Sequence, residues 1–258
     1  MDQHRGRGAQ PHILIIAHRG GVVTPQTPEC SAGALRKAIE HGYDGVELDL
    51  QESQDGVPFV FHETTLNKVT GVEGTIASLP SDRIRQIRFV GTGESITPFA
   101  TAAELAREKL ALMLEIKGRS HGQKFYDDIL RALERNNLRR YTFVYPSNPE
   151  TREALGGKVR LKLNEGDVPR ILPTLPDASQ KYFAFGLPVL MKKLPMAELR
   201  AQGVPIIPGV NTFRYPAENL MELAKKDIEE MLRLGVDGFQ IDSVYEEITR
   251  QAIRAARK

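Results

Sequence analysis

A single cysteine, Cys30, occurs among the 258 residues, so no intrachain disulfide can form and a zinc site built from several thiolates is excluded. No apolar run approaches the roughly 18 residues of a membrane-spanning helix. The polar, basic stretch 1–12 is followed by only five apolar residues at 13–17, too few for the core of a signal peptide. A soluble cytoplasmic protein is the expectation. The 35 basic and 33 acidic residues leave a net charge of +2, with no block of like charge. The densest basic stretches, 83–88 and Lys192-Lys193, read as solvated helix faces, so no nucleic-acid partner is implied. No low-complexity linker interrupts the chain. One domain spanning 1–258 is expected, with 1–12 a flexible N-terminus.

What is present is an alternation of short β-branched runs with longer amphipathic stretches, the pattern of a parallel α/β fold. Strands are expected at 13–17, 45–50, 112–116, 142–145, 159–163, 182–185, 205–208 and 238–241. Helices are expected at 31–41, 79–87, 101–108, 125–135, 219–234 and 244–256, with shorter pieces at 149–155 and 168–172. Asp55-Gly56 is a turn signal, and the run 57–61 behind it reads as the return strand of a hairpin inserted after the second strand. Eight parallel strands apart from that hairpin predict a TIM (β/α)8 barrel with a small hairpin and loop insertion. A doubly wound sheet is the alternative.

In a barrel, chemistry sits at the C-terminal ends of the strands. The first strand ends in His18-Arg19-Gly20 and the second carries Glu47-Leu48-Asp49. The hairpin ends in His62-Glu63, and the third barrel strand ends in Glu115-Ile116-Lys117. Residues two apart on a strand share a face, so Glu47 and Asp49 both point inward while Val46 and Leu48 pack against helices. Buried carboxylates cost several kcal/mol each unless compensated, and Glu115 adds a third. A lone acid at a strand end meets solvent or a salt bridge. Three converging acids call for a hard divalent cation, Mg2+ or Ca2+ before zinc. His18 and His62 at the mouth of such a cluster can take or give a proton during P–O cleavage. Arg19 and Lys117 suit a phosphate or neutralise the acids.

Together, His18-Arg19-Gly20, Glu47-x-Asp49, Asp55-Gly56 followed by His62, and Glu115-Ile116-Lys117 resemble the glycerophosphodiester phosphodiesterase family, most closely over 13–118. Val210-Asn211 and Gly235-Val236-Asp237-Gly238 resemble its closing segments. The resemblance implies metal-dependent hydrolysis of a small-molecule glycerol-type phosphodiester to an alcohol and a phosphomonoester. It implies metal binding by Glu47, Asp49 and Glu115, and His18 and His62 as the acid–base pair. Arg19, Lys117 and Asn211 would meet the phosphate, with Glu29 in or behind the metal shell.

The sequence departs from the family's pattern at three places. Pro28-Glu29-Cys30-Ser31 stands for Pro-Glu-Asn-Thr, His62-Glu63 for His-Asp, and Pro208 for a tryptophan, a residue the chain lacks altogether. All three touch the expected alcohol pocket rather than the chemistry. Other readings are an opine-type sugar-phosphodiester phosphodiesterase, a lysophospholipase D and a non-catalytic binding barrel. Phe89, Val90 and Phe99 are candidates for an apolar rim over the mouth, and the oligomeric state is open.

Overall fold

The computed structural model describes residues 12–118, 120–146, 148–164, 166, 168 and 177–257. Eight parallel strands form its centre: β1 (Leu14–Ala17), β2 (Gly45–Glu52), β5 (Ala111–Ile116), β6 (Thr142–Tyr145), β7 (Arg160–Lys162), β8 (Tyr182–Gly186), β9 (Ile206–Val210) and β10 (Gly238–Ile241). Each pairs with the next, and β1 pairs in parallel with both β10 and β2, which closes the ring. The closure settles the architecture as a TIM barrel and excludes the open doubly wound sheet.

The expected hairpin is present: β3 (Pro58–Val60) runs antiparallel to β2. A short third strand, β4 (Thr97–Pro98), extends it, a feature too short to announce itself in sequence. The insertion has its own core, in which Phe59, Phe61, Leu66, Ile76, Ile84 and Phe89 are buried together. This corrects the apolar rim. Phe89 stacks near Phe61 with ring centroids 6.3 Å apart, and Phe99 is fully buried in the main core at the start of the helix Phe99–Ala106. Only Val90 of the three is exposed. Burying those rings removes apolar area from water that a rim would have left wet.

Helices at Ala32–Glu40, Gln123–Arg135, Pro149–Leu155, Leu220–Leu234 and Glu246–Ala256 lie close to expectation. The Ser31 side chain caps the first of them by accepting from the Ala34 N–H, a contact of about 1 kcal/mol. The expected helix at 79–87 shrinks to Ser81–Ile84, because Pro80 fixes its start. Of the expected piece at 168–172, residues 169–172 lie outside the described residues. Among the described residues, no helix is long and apolar enough to cross a membrane.

Inside the ring, Ile16, Ala111, Met113, Phe143, Phe183 and Ile207 form an apolar plug. They share the inward parity of their strands, and further along β1, β2, β5 and β6 the inward positions become polar at His18, Glu47, Glu115 and Tyr145. That plug is the floor of the site.

Candidate active site at the barrel mouth

The three carboxylates converge as expected. Oxygens of Glu47, Asp49 and Glu115 all lie within 4.8 Å of one another. Strand register explains this: Asp49 sits beside Glu115, and Glu115 beside Tyr145, on three consecutive strands. Glu47 and Asp49 are buried to 0% and 1% exposure. Burial first, then the charge of Asp49, pushes the Glu47 carboxyl well above the usual carboxylate range, although the Arg19 N–H and Lys117 pull the other way. Oxygen-only donors under mutual repulsion fit a hard divalent ion, because added positive charge relieves the strain that raises Glu47.

Lys117 lies within the same cluster. Its Nζ is 2.8 Å from Asp49 Oδ1 and 2.8 Å from Glu115 Oε1. Burial would lower its pKa, but the two carboxylates more than reverse that, so it is held as a cation. Tyr145, which the sequence reading passed over, places its hydroxyl 3.2 Å from Glu115 Oε2 and 3.4 Å from Glu47 Oε1. It donates its one proton to this pair, and burial followed by the charges of Glu47 and Glu115 keeps that proton in place.

His18 stands across the mouth. Its Nδ1 lies 2.6 Å from Asp242 Oδ1, which assigns the proton to that nitrogen and leaves Nε2, 3.9 Å from Glu47 Oε2, facing the acids. Burial would raise the Asp242 carboxyl, but the His18 hydrogen bond and the Thr212 N–H outweigh it and hold the group low. Asn211, expected to meet phosphate, is buried beside His18: its amide is 3.0 Å from Nδ1 and donates to Gln240 Oε1 at 3.2 Å. Asp242 and Gln240 were also missed. Their alternation along 238–242 carried the signal, since both take the inward parity of β10.

His62 mirrors His18. Its Nδ1 lies 3.1 Å from Glu29 Oε1, and Glu29 Oε2 accepts from Arg19 Nη1 at 2.8 Å. Burial opposes the charge on Glu29, yet His62 and Arg19 bring its pKa down to about 2. Contact with Glu29 in turn raises His62 against burial, although the Nδ1–Oε1 approach is too poorly aligned for a well-formed hydrogen bond. Gln51 fixes the imidazole's backbone by donating to the carbonyls on either side, Phe61 at 2.7 Å and Glu63 at 2.9 Å.

Glycines let the loop after β1 double back. Gly20 and Gly21 have φ of +82° and +138°, and a Cβ on Gly21 would lie 2.1 Å from the Ala34 carbonyl oxygen. The turn places Arg19 O against Cys30 N at 2.9 Å, which brings Glu29 to Arg19. Cys30 is buried, with Sγ 3.6 Å from Asp49 Oδ2, and burial pushes its thiol pKa well up.

Comparison with known proteins gives these residues a context. The chain is 28% identical over 246 residues to glycerophosphodiester phosphodiesterase of Caldanaerobacter subterraneus, covering 89% of this chain and 93% of that protein. It is 31% identical over 118 residues to human glycerophosphodiester phosphodiesterase 1, covering 42% of this chain. That match spans only 35% of the human protein's length. Among solved structures, a phosphodiesterase of Oleispira antarctica in complex with the product sn-glycerol-3-phosphate superposes with a TM-score of 0.66 at 20% identity, covering 93% of this chain and 96% of that one. That likeness bears on the fold. A family model for glycerophosphoryl diester phosphodiesterases matches residues 4–196. The chain belongs to the glycerophosphoryl diester phosphodiesterase family.

Proposed function

We propose that the protein hydrolyses a glycerol- or sugar-containing phosphodiester to an alcohol and a phosphomonoester, with a divalent cation and two histidines. The observation that carries this is the pair of imidazoles, each with a carboxylate on Nδ1, flanking three converging acids. Glu47, Asp49 and Glu115 would hold Mg2+ or Ca2+. Bound there, the ion supplies positive charge to a phosphoryl oxygen.

The rest is work for the chain's own side chains. Arg19 and Lys117 draw the anionic diester to the mouth, and Asn211 steadies His18 from behind. One imidazole accepts the proton of the attacking water, or of the substrate's own neighbouring hydroxyl, as that oxygen forms a bond to phosphorus, and in the second case water then opens the resulting cyclic phosphate. The other gives a proton to the alcohol oxygen as the old P–O bond breaks. Asp242 and Glu29 hold the two rings in the tautomer that leaves Nε2 for exchange, and stabilise each ring when it is charged.

The test is hydrolysis of a panel of glycerophosphodiesters with Mg2+ or Ca2+, with and without EDTA. The parent should turn over at least one diester and lose activity on chelation, and His18→Ala and His62→Ala should each lose about a hundredfold or more. Full activity in either variant contradicts the acid–base pair. A parent inactive on every diester favours the binding-barrel reading instead.

A further inference from the structure

Beside the acids lies a cavity of about 800 Å³. His62 and Lys117 line it together with Thr64, Thr75 and Ala77 of the insertion, so it joins the acid cluster to the insertion. Its remaining wall includes Gln54, Ser120 and His121. His121 lies outside the proposed catalytic set.

His121 is built into this wall. Its ring lies flat against Phe125 with centroids 4.3 Å apart, and its Nδ1 is 3.0 Å from Glu52 Oε2. The side chain is 6% exposed. A proton on Nδ1 for Glu52 leaves Nε2 as an acceptor, and among the described residues that buried nitrogen has no hydrogen-bond partner. It faces the turn at Gly118, which also lines the cavity. A buried acceptor left unmade is costly, and a ligand hydroxyl that displaces the Gly118 turn would remove that cost.

We propose that this cavity receives the alcohol half of the diester, and that its occupant is a neutral polyhydroxylated alcohol, a sugar or polyol. The inference rests on the hydrolase reading and goes beyond it to the substrate class. Three observations separate this class from others. First, the cavity's carboxylates are already paired. Glu52 takes His121 and the Gly122 N–H at 3.2 Å, and Glu63 Oε1 takes Lys68 Nζ at 2.7 Å. Neither is left to neutralise a quaternary ammonium. Second, the rings on the lining are the imidazoles of His62 and His121, the latter covered on one face by Phe125, and no Phe, Tyr or Trp joins them, so there is no aromatic cage for such a cation. Third, Ala77 is the lone apolar side chain among the lining residues, which leaves an acyl chain little to pack on. Gln54, Thr64 and Ser120 make no side-chain hydrogen bond with the described residues, so their polar groups remain for hydroxyls.

The experiment compares glycerophosphoinositol, glycerophosphocholine and lysophosphatidylcholine as substrates of the metal-loaded protein. It also measures their binding to the His18→Ala protein by calorimetry, which needs no turnover. The inositol diester is expected to lead by about tenfold in kcat/KM and in affinity. Gln54→Leu with Thr64→Val, two exposed positions, should cut that lead several-fold through KM while kcat holds. His121→Gln should do the same. Equal or better turnover and binding of the choline or acyl substrates overturns the polyol assignment and leaves the hydrolase reading standing. No turnover of any diester, with the inositol compound still bound most tightly, sinks the hydrolase reading and keeps the cavity's preference.

Discussion

His18 and His62 make the same kind of contact in two differently built surroundings. His18 projects from the end of β1, and its acid, Asp242, comes from the end of β10, the strand that closes the ring. That acid is further tied by the Thr212 N–H at 2.6 Å. His62 sits at the edge of the insertion, and its acid, Glu29, comes from a loop and is shared with Arg19. One pair is braced by the barrel wall, and its acid makes no ion pair with Arg or Lys among the described residues. The other couples an imidazole to the cation expected to hold phosphate. On the proposed mechanism, proton handling and substrate grip are therefore separable on the His18 side and joined on the His62 side.

The largest test of that contrast is Asp242→Asn. It should lower kcat by about a hundredfold with KM nearly unchanged, because it disturbs the tautomer of His18 without touching Arg19. A matching rise in KM would show that Asp242 also shapes substrate binding. Glu29→Gln should cost about tenfold to thirtyfold, divided between kcat and KM, since it loosens His62 and Arg19 together. A pure kcat effect would erase the proposed difference. Tyr145→Phe belongs to neither pair. Its loss should weaken metal affinity by about tenfold through Glu115 and Glu47, measurable by metal titration in calorimetry. Unchanged affinity would leave the phenol a packing role against Phe185, whose ring centroid is 4.8 Å away.

The smallest effect is on stability. Folded Glu29 titrates at about 2, below its ordinary 4.5, so its contribution is present above about 4.5 and lost as pH falls toward 2. His62 is raised above its ordinary 6.5, so its contribution is full below 6.5 and lost as pH climbs through the folded value. Their contact therefore stabilises most between those limits. The Tm gap between the parent and Glu29→Gln should be widest near pH 5.5 and narrower at pH 3 and pH 9. A gap that does not change with pH would show the contact is not ionic.

Much of the barrel was legible because its strands are short, mostly apolar runs, several of them rich in Ile and Val, and its hairpin turn is Asp55-Gly56. The acids were legible because alternation within a strand needs no partner to be known. Asp242 was harder: 224 residues separate it from His18, and only the pairing of β1 with β10 brings them together. Tyr145 was hidden among the aromatic residues of β6, where a core reading satisfies every one of them. The supposed rim failed for a related reason. Composition says that Phe89 and Phe99 are apolar, but it does not say that the insertion has an interior of its own to bury Phe89.

The seam between β1 and β10 has a consequence for biosynthesis. A chain emerging from the ribosome presents His18, His62 and all three acids well before residue 242 exists, so the nascent molecule carries most of the reactive groups in an unfinished ring. On the proposed mechanism, hydrolytic competence waits for the last strand to dock. A partly made copy lacks the Asp242 contact of His18, and the complete constellation exists only once the circle is shut.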